Sequence, residues 1–285
     1  MFPAPSATAE TGQPIRVGEL LRAWRSRRRR SQMDLALHVG VSTRHLSFIE
    51  TGRARPSTAM LEALSGALEV PLRERNRLLL AAGYAPRYQA RALDDAGMHQ
   101  VRVTLDRLLR AHEPLPGLVL DRQWNVVLAN PSALALAGLL PDDLRQPAFN
   151  IFRASLHPRG LAALTANFSD WAAYLLQTLS RAVASTGDPA LVALEEEVRA
   201  YPNVAALVPV LPTDIVPEAL LLVPCVLRLP QGRLSMFTTL TTFGTPRDIT
   251  LDELCVELFY PADDASDGLL RSMQACRSEP DREPG

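Results

Sequence analysis

Between residues 32 and 50 the chain reads Gln-Met-Asp-Leu-Ala-Leu-His-Val-Gly-Val-Ser-Thr-Arg-His-Leu-Ser-Phe-Ile-Glu. Several of these side chains have the chemistry of contact with a base pair or a phosphate. Arg44 carries a planar fork of donors that matches O6 and N7 of guanine. Thr43 can hydrogen-bond a base or pack on a thymine methyl, and Phe48 offers that methyl an apolar face. Ser42, His45 and Ser47 complete the polar set on the same segment. Gln32 before it, and Arg53 and Arg55 in the run Thr51-Gly-Arg-Ala-Arg-Pro56 after it, suit the phosphates that fix a protein's register on a duplex. The run Arg27 to Arg30 adds charge nearby. Alternative readings bury Phe48 against a neighbouring helix and give His45 a surface or packing role.

These groups are useful only if two helices cross sharply and turn the second one outward. Such a crossing needs a small residue where the backbones touch, a residue tolerant of positive φ at the corner, and apolar residues facing inward from the second helix. Ala36, Gly40, and Leu46 with Ile49 stand at those positions. Ser31 and Ser42 can cap the two helices. Around them Val17, Leu20, Trp24, Leu61, Leu64, Leu68 and Leu78 recur at helical spacing. The expectation is an all-α, five-helix helix-turn-helix domain over residues 15–86, entering DNA with the N-terminal end of its second crossing helix in the major groove. Base-edge readout of that kind suits DNA and not A-form RNA.

The charge distribution agrees. The 285 residues carry a formal net charge of −1. Residues 15 to 85 hold 13 Arg against 6 acidic residues, net +7, and the remainder is net −8. A basic module attached to an acidic remainder is what a polyanion partner asks for. All 30 basic residues are Arg, a bias typical of GC-rich bacterial genomes.

Residues 1–14 lack periodicity and read as a flexible tail, and residues 87–116 as a linker with one amphipathic helix through Val101, Leu105, Leu108 and Leu109. Beyond it the pattern changes. Gly117 to Asp121 and Trp124 to Asn130 read as a hairpin, helices follow near 131–139, 160–186 and 189–200, and strand-like runs occupy Leu222 to Leu229, Arg233 to Phe243 and Leu254 to Tyr260. Residues 117–265 are therefore expected to form an α+β domain on an antiparallel sheet, with residues 266–285 a terminal helix or tail. No apolar run reaches the length of a membrane span and no leader opens the chain, so a cytoplasmic protein is expected. Cys225, Cys255 and Cys276 lack metal-site spacing. Ser155, His157 and Asp170 could be drawn as a triad, but no nucleophile elbow surrounds Ser155, and phosphate loops and HExxH are absent, so no enzyme is expected.

The segment Gly18 to Gly83 resembles the phage-repressor, XRE-type helix-turn-helix. Arg44-His-Leu-Ser-Phe-Ile-Glu-Thr-Gly-Arg-Ala-Arg-Pro-Ser57, Val70-Pro-Leu-Arg-Glu-Arg-Asn76 and Ala81-Ala-Gly-Tyr84 resemble the MmyB-like regulators more narrowly. So do His112-Glu-Pro114, Leu120-Asp-Arg-Gln-Trp-Asn-Val126, Gly187-Asp-Pro189, Phe243-Gly-Thr245 and Phe259-Tyr-Pro-Ala-Asp263. The resemblance implies a PAS-like C-terminal domain that encloses an elongated apolar ligand such as a long-chain fatty acid; the expectation is a homodimeric, ligand-responsive regulator on a pseudo-palindromic operator, with no required cofactor. Walls for an acyl chain are available in Phe149, Phe152, Leu156, Trp171, Leu175, Phe237 and Phe243, and Asn150, Arg153 and His157, beside Arg159, could receive its polar end. The alternatives are plain core for the aromatics, a surface pair for Arg153 and His157, and a protein-interaction or dimerisation module without a small ligand.

Overall fold

A computed structural model describes residues 16–207 and 222–278; the expected tail at 1–14 lies outside the described residues. The chain divides into two compact units, residues 1–90 with 247–249 and residues 91–246 with 250–285.

The first unit holds five helices: α1 Val17–Arg27, α2 Gln32–Val39, α3 Thr43–Glu50, α4 Thr58–Ala67 and α5 Leu72–Ala81. Each boundary has a local cause. Ser31 and Asp34 form a reciprocal capping box on α2, Ser42 accepts from the His45 amide at the start of α3, and Ser57 accepts from the Met60 amide on α4. Gly40 ends α2 in the left-handed region at φ +75°, which sets the corner before α3. Leu21, Trp24, Leu35, Leu46, Ile49 and Leu64 are buried in one core, each worth about 1.5–3 kcal/mol of transfer free energy. Ala36 is also buried there, at the expected crossing, and Val17 and Leu20 pack at its margin.

The second unit is α+β. Helix α6 His99–Ala111 precedes strands β1 Gly117–Leu120 and β2 Val126–Ala129. Six helices follow: α7 Pro131–Ala137, α8 Asp142–Arg145, α9 Ile151–Leu156, α10 Phe168–Thr186, α11 Pro189–Arg199 and α12 Pro202–Ala205. Strands β3 Cys225–Leu229 and β4 Gly232–Thr242, helix α13 Ile249–Glu253, strand β5 Cys255–Pro261 and helix α14 Asp264–Ser278 complete the described residues. The strands form one antiparallel sheet in the order β2-β1-β5-β4-β3.

Strand alternation divides this sheet into two faces. Leu118, Leu120, Cys225, Leu227 and Met236 pack with α7, α9 and α10, whereas Val119 and Val256 pack with Leu105 and Leu109 of α6. The helix expected as a linker thus covers one face of the sheet. Asn130 fastens it there: its Oδ1 accepts from the Gly117 and Ala133 amides at 3.0 and 2.9 Å, and its Nδ2 donates to the Leu115 and Leu109 carbonyls at 2.8 and 3.2 Å.

Two glycines separate close approach from mere helix flexibility. A Cβ on Gly18 would stand 2.4 Å from the Ile49 carbonyl oxygen and 2.6 Å from that of Glu50, whereas one on Gly66 meets nothing within 4 Å. Gly18→Ala is expected to destabilise the helical unit by about 1–3 kcal/mol, because backbone must move apart. Gly66→Ala is expected to stabilise it by about 0.5–1 kcal/mol. Thermal denaturation followed by circular dichroism checks both, and equal effects of the two substitutions would contradict the α1–α3 approach.

Candidate nucleic-acid interface and ligand cavity

Helix α3 is held from behind by one carboxylate. Glu50, only 7% exposed, accepts from Arg25 Nε at 2.6 Å, Arg25 Nη2 at 2.9 Å and Gln32 Nε2 at 2.7 Å. Arg25 also donates to the Arg30 carbonyl at 2.9 Å, and the Glu50 carboxylate pushes the pKa of its guanidinium up. The end of α3 is thereby tied to α1 and to the start of α2. Truncating one partner of such a charge-assisted set leaves a buried charge unpaired, which is why networks of this kind fix geometry more than they add stability.

On the opposite side Ser42, Thr43, Arg44 and His45 are exposed, and Ser47 and Phe48 are half-buried. The Phe48 ring faces two cations: the Arg44 guanidinium lies 5.3 Å from its centroid and that of Arg53 5.9 Å. The turn after α3 brings Arg53 back, its amide donating to the Phe48 carbonyl at 2.8 Å. Cation and ring attract, so Phe48 orders both guanidinium groups while leaving their outer edges free to donate. Three of the expected contact residues thus form one cluster.

Other candidates are engaged elsewhere. Arg55 Nε donates to the Ala82 carbonyl at 2.9 Å and Nη2 to that of Gly83 at 3.3 Å, with the guanidinium 4.7 Å from the Tyr84 ring centroid. It closes the C-terminal end of α5, where a cation is favoured by the helix dipole. Arg28 does the same for α4 through the Leu68 and Glu69 carbonyls, and both Arg27 and Arg28 lie over Trp24. Gln32 directs its amide nitrogen to Glu50.

In the second unit a cavity opens between the sheet and helices α7, α9 and α10, partly open to solvent. Its walls are apolar, including Phe149, Trp171 and Leu175 from the expected set, joined by Leu136, Met236 and Phe259.

The remaining candidates do not line it. Phe152 and Leu156 are fully buried in the same core, Phe152 edge-on to Trp124 at 5.1 Å. Phe237 stacks on Tyr260 at 5.5 Å, and Phe243 packs with the cluster of Leu105 and Val256 on the other face of the sheet. Asn150 is a structural tie: its Oδ1 caps α9 at the Phe152 and Arg153 amides, and its Nδ2 donates to the Gln123 carbonyl at 2.8 Å. Arg153 makes a two-pronged pair with Glu197 of α11, Nε at 2.8 Å and Nη2 at 2.7 Å, and Tyr201 donates to the same carboxylate at 2.7 Å. His157 packs edge-on against Tyr201 at 5.0 Å and accepts from the Arg159 amide through Nδ1, while Arg159 pairs with Asp143. The basic groups expected at a carboxylate are thus taken up by acidic partners.

Among the described residues the one carboxyl on the cavity wall is that of Glu257, 7% exposed, on central strand β5. Burial pushes its pKa up to about 7, against a smaller opposing effect of a hydrogen bond with the Thr238 hydroxyl. Its Oε2 has no hydrogen-bond partner among the described residues. Cys225 beside it is pushed up to about 12, first by burial and then by the neighbouring carboxyl. Sequence reading passed over Glu257, although a charged residue inside Cys-Val-Glu-Leu-Phe-Tyr, flanked by apolar residues, was the available signal.

Residues 101–273 match the family described as MmyB-like transcription regulator ligand binding domain. The chain belongs to the MmyB-like transcription regulators. Residues 16–78 of this MmyB-like regulator match a helix-turn-helix domain, coinciding with α1 to α5. No curated protein matches it at a significant level. A solved structure described as an RNA-binding Light-Oxygen-Voltage receptor aligns with 92% of the chain at 13% identity. The chain spans 62% of that receptor, and a TM-score of 0.25 carries no argument. Among the described residues no helix is long and apolar enough to cross a membrane.

In this MmyB-like regulator the Glu257 shift has a consequence for stability. A folded-state pKa above the unfolded one means that the native form holds the extra proton, so stability is greatest below the unfolded value near 4.5 and is lost as pH rises to about 7. Glu257→Gln removes that loss. The variant is expected to gain on the order of 3 kcal/mol relative to the parent between pH 5 and pH 8, read from urea unfolding of the second unit. A pH-independent difference would show that Glu257 is ionised throughout.

Proposed function

We propose that this chain is a sequence-specific, XRE-type DNA-binding regulator whose operator affinity responds to an apolar molecule held in its second unit. The observation that carries the reading is the presence in one chain of an outward α3 face, with Arg44 and Arg53 on Phe48, and of an apolar cavity lined by Phe149, Trp171 and Leu175. Thr43 and Arg44, at the exposed N-terminal end of α3, are the base readers in this reading. Arg53 meets phosphate, and Ser42, His45 and Ser47 border the contact. The strand order β2-β1-β5-β4-β3, with helices inserted between β2 and β3, supports the PAS-like description of the second unit. A homodimer would present two such α3 helices to a pseudo-palindromic operator, the usual arrangement for helix-turn-helix proteins.

The cavity walls suit a long-chain ligand, the fatty acid implied by family resemblance included. Each buried methylene contributes about 0.8 kcal/mol before association costs, so the walls and not the head group would dominate affinity. Native mass spectrometry of protein purified from cells distinguishes a ligand-holding domain, which carries a fixed added mass, from an interaction module, which carries none.

Arg44→Ala is expected to cost about 1–3 kcal/mol of operator affinity and to relax preference at one base pair. Arg53→Ala is expected to weaken all sequences alike and lower the salt slope by about one unit. Binding titrations on operator and random duplexes at several salt concentrations separate the two. Equal losses on both duplexes for Arg44→Ala would remove it from the role of reader.

A further inference from the structure

A strand edge left open pairs readily with another chain, which is why folded proteins cover their edges or guard them with charge and proline. At both ends of this sheet the chain supplies the cover itself. Outside β2 the Val126 amide donates to the Phe149 carbonyl at 2.7 Å, and Asn125 bridges to Asn150. Outside β3 the Ala166 amide donates to the Val226 carbonyl at 2.7 Å and the Arg228 amide to that of Leu164 at 2.8 Å. Strand β4 is different. Its pairing with β3 stops at the Cys225–Met236 pair, whereas its pairing with β5 runs on to Thr242–Cys255. Among the described residues no strand pairs with the outer side of β4 from Phe237 to Thr242. Thr239, Leu240, Thr241 and Thr242 are exposed, and the stretch holds neither a charge nor a proline.

The backbone groups on this edge can be assigned. The Ser235 carbonyl accepts from the Ala262 amide, so Ser235 points toward β5. Val226 and Arg228 point away from β4, which turns Cys225 and its partner Met236 toward each other. Residues alternate along an antiparallel strand, so beyond Met236 it is Thr238, Leu240 and Thr242 that direct their N–H and C=O groups outward. The same stretch, Thr238-Thr-Leu-Thr-Thr242, reads identically in both directions about Leu240.

We propose that the β4 edge from Thr238 to Thr242 is a dimer interface, taken by the same segment of a second copy so that two sheets join across a two-fold axis at Leu240. This rests on the homodimer of the reading above and names its surface. A two-fold interface must be self-complementary. Antiparallel pairing about Leu240 sets it against the partner's Leu240, Thr238 against the partner's Thr242 and Thr239 against the partner's Thr241. Every outward N–H and C=O of Thr238, Leu240 and Thr242 then meets a partner, the main-chain bonding that gives strand addition its affinity. Threonine faces threonine, a favourable cross-strand pair, and no charge meets its like.

Sedimentation equilibrium of the full chain reads the dimer dissociation constant. Because the axis sets Leu240 against itself, Leu240→Lys is expected to oppose two like charges and weaken the dimer at least about tenfold, and Leu240→Glu to do the same. An equimolar mixture of the two variants places opposite charges across the axis and is expected to return the dissociation constant to within about threefold of the parent. Leu240 is exposed, so both variants are expected to keep the parent's circular dichroism, and recovery on mixing rules out misfolding as the cause of the loss. A dimer as tight in both variants as in the parent, or a loss that mixing does not recover, overturns the inference and leaves the homodimer to another surface. A parent chain that is monomeric throughout its soluble range overturns the homodimer itself.

Discussion

Strand β5 lies between β1 and β4, so its successive residues alternate between two faces of the sheet that are each covered by helices. Val256 and Leu258 meet the helix α6 side, and Glu257 and Phe259 meet the cavity side. Much else in the second unit follows from this constraint. Helix α6 has to cover the first face, which is why Leu105 and Leu109 are buried and why Asn130 spends four hydrogen bonds fastening the junction. The second face cannot be closed by the sheet alone, and α7, α9 and α10 roof it without filling it. A charged residue at an inward position of a central strand is costly to bury, and Glu257 meets that cost by resisting ionisation.

The first unit solves a different problem with similar means. Helix α3 must present polar and cationic side chains outward, which leaves Leu46 and Ile49 alone to hold it in the core. Two apolar anchors on an eight-residue helix fix its depth but not its rotation. The Glu50 carboxylate supplies the missing restraint, since its hydrogen bonds reach α1 and α2 together. Recognition surface and scaffold are therefore not separable along the sequence: Glu50 and Phe48 are two residues apart and face opposite tasks.

Local chemistry was what sequence reading could follow. The caps Ser31 and Ser42, the corner at Gly40 and the apolar spacing of the five helices are all decided within a few residues, and the strand runs were visible as apolar stretches broken by turn residues. What escaped depends on partners remote in the chain. Arg55 is claimed by carbonyls 27 and 28 residues away, and Arg153 by a carboxylate 44 residues away. No spacing rule points to either. Phe237 and Phe243 were grouped with the cavity because they are aromatic, but odd positions on β4 and the residue past its end fall on the other side of the sheet from Met236. The helix at 99–111 read as a linker because an amphipathic stripe does not say which apolar surface it will meet.

The unfilled space under the sheet gives the two units unequal mechanical character. Close-packed interiors compress little, and the volume a protein sheds on unfolding scales with the voids it held when folded. The helical unit has its apolar side chains in one cluster, whereas the α+β unit leaves space between its sheet and helices α7, α9 and α10 that protein atoms do not occupy. Hydrostatic pressure therefore bears on the enclosed part of that space, and a molecule lodged there acts as a strut: it removes void and, with it, volume that unfolding under pressure would release.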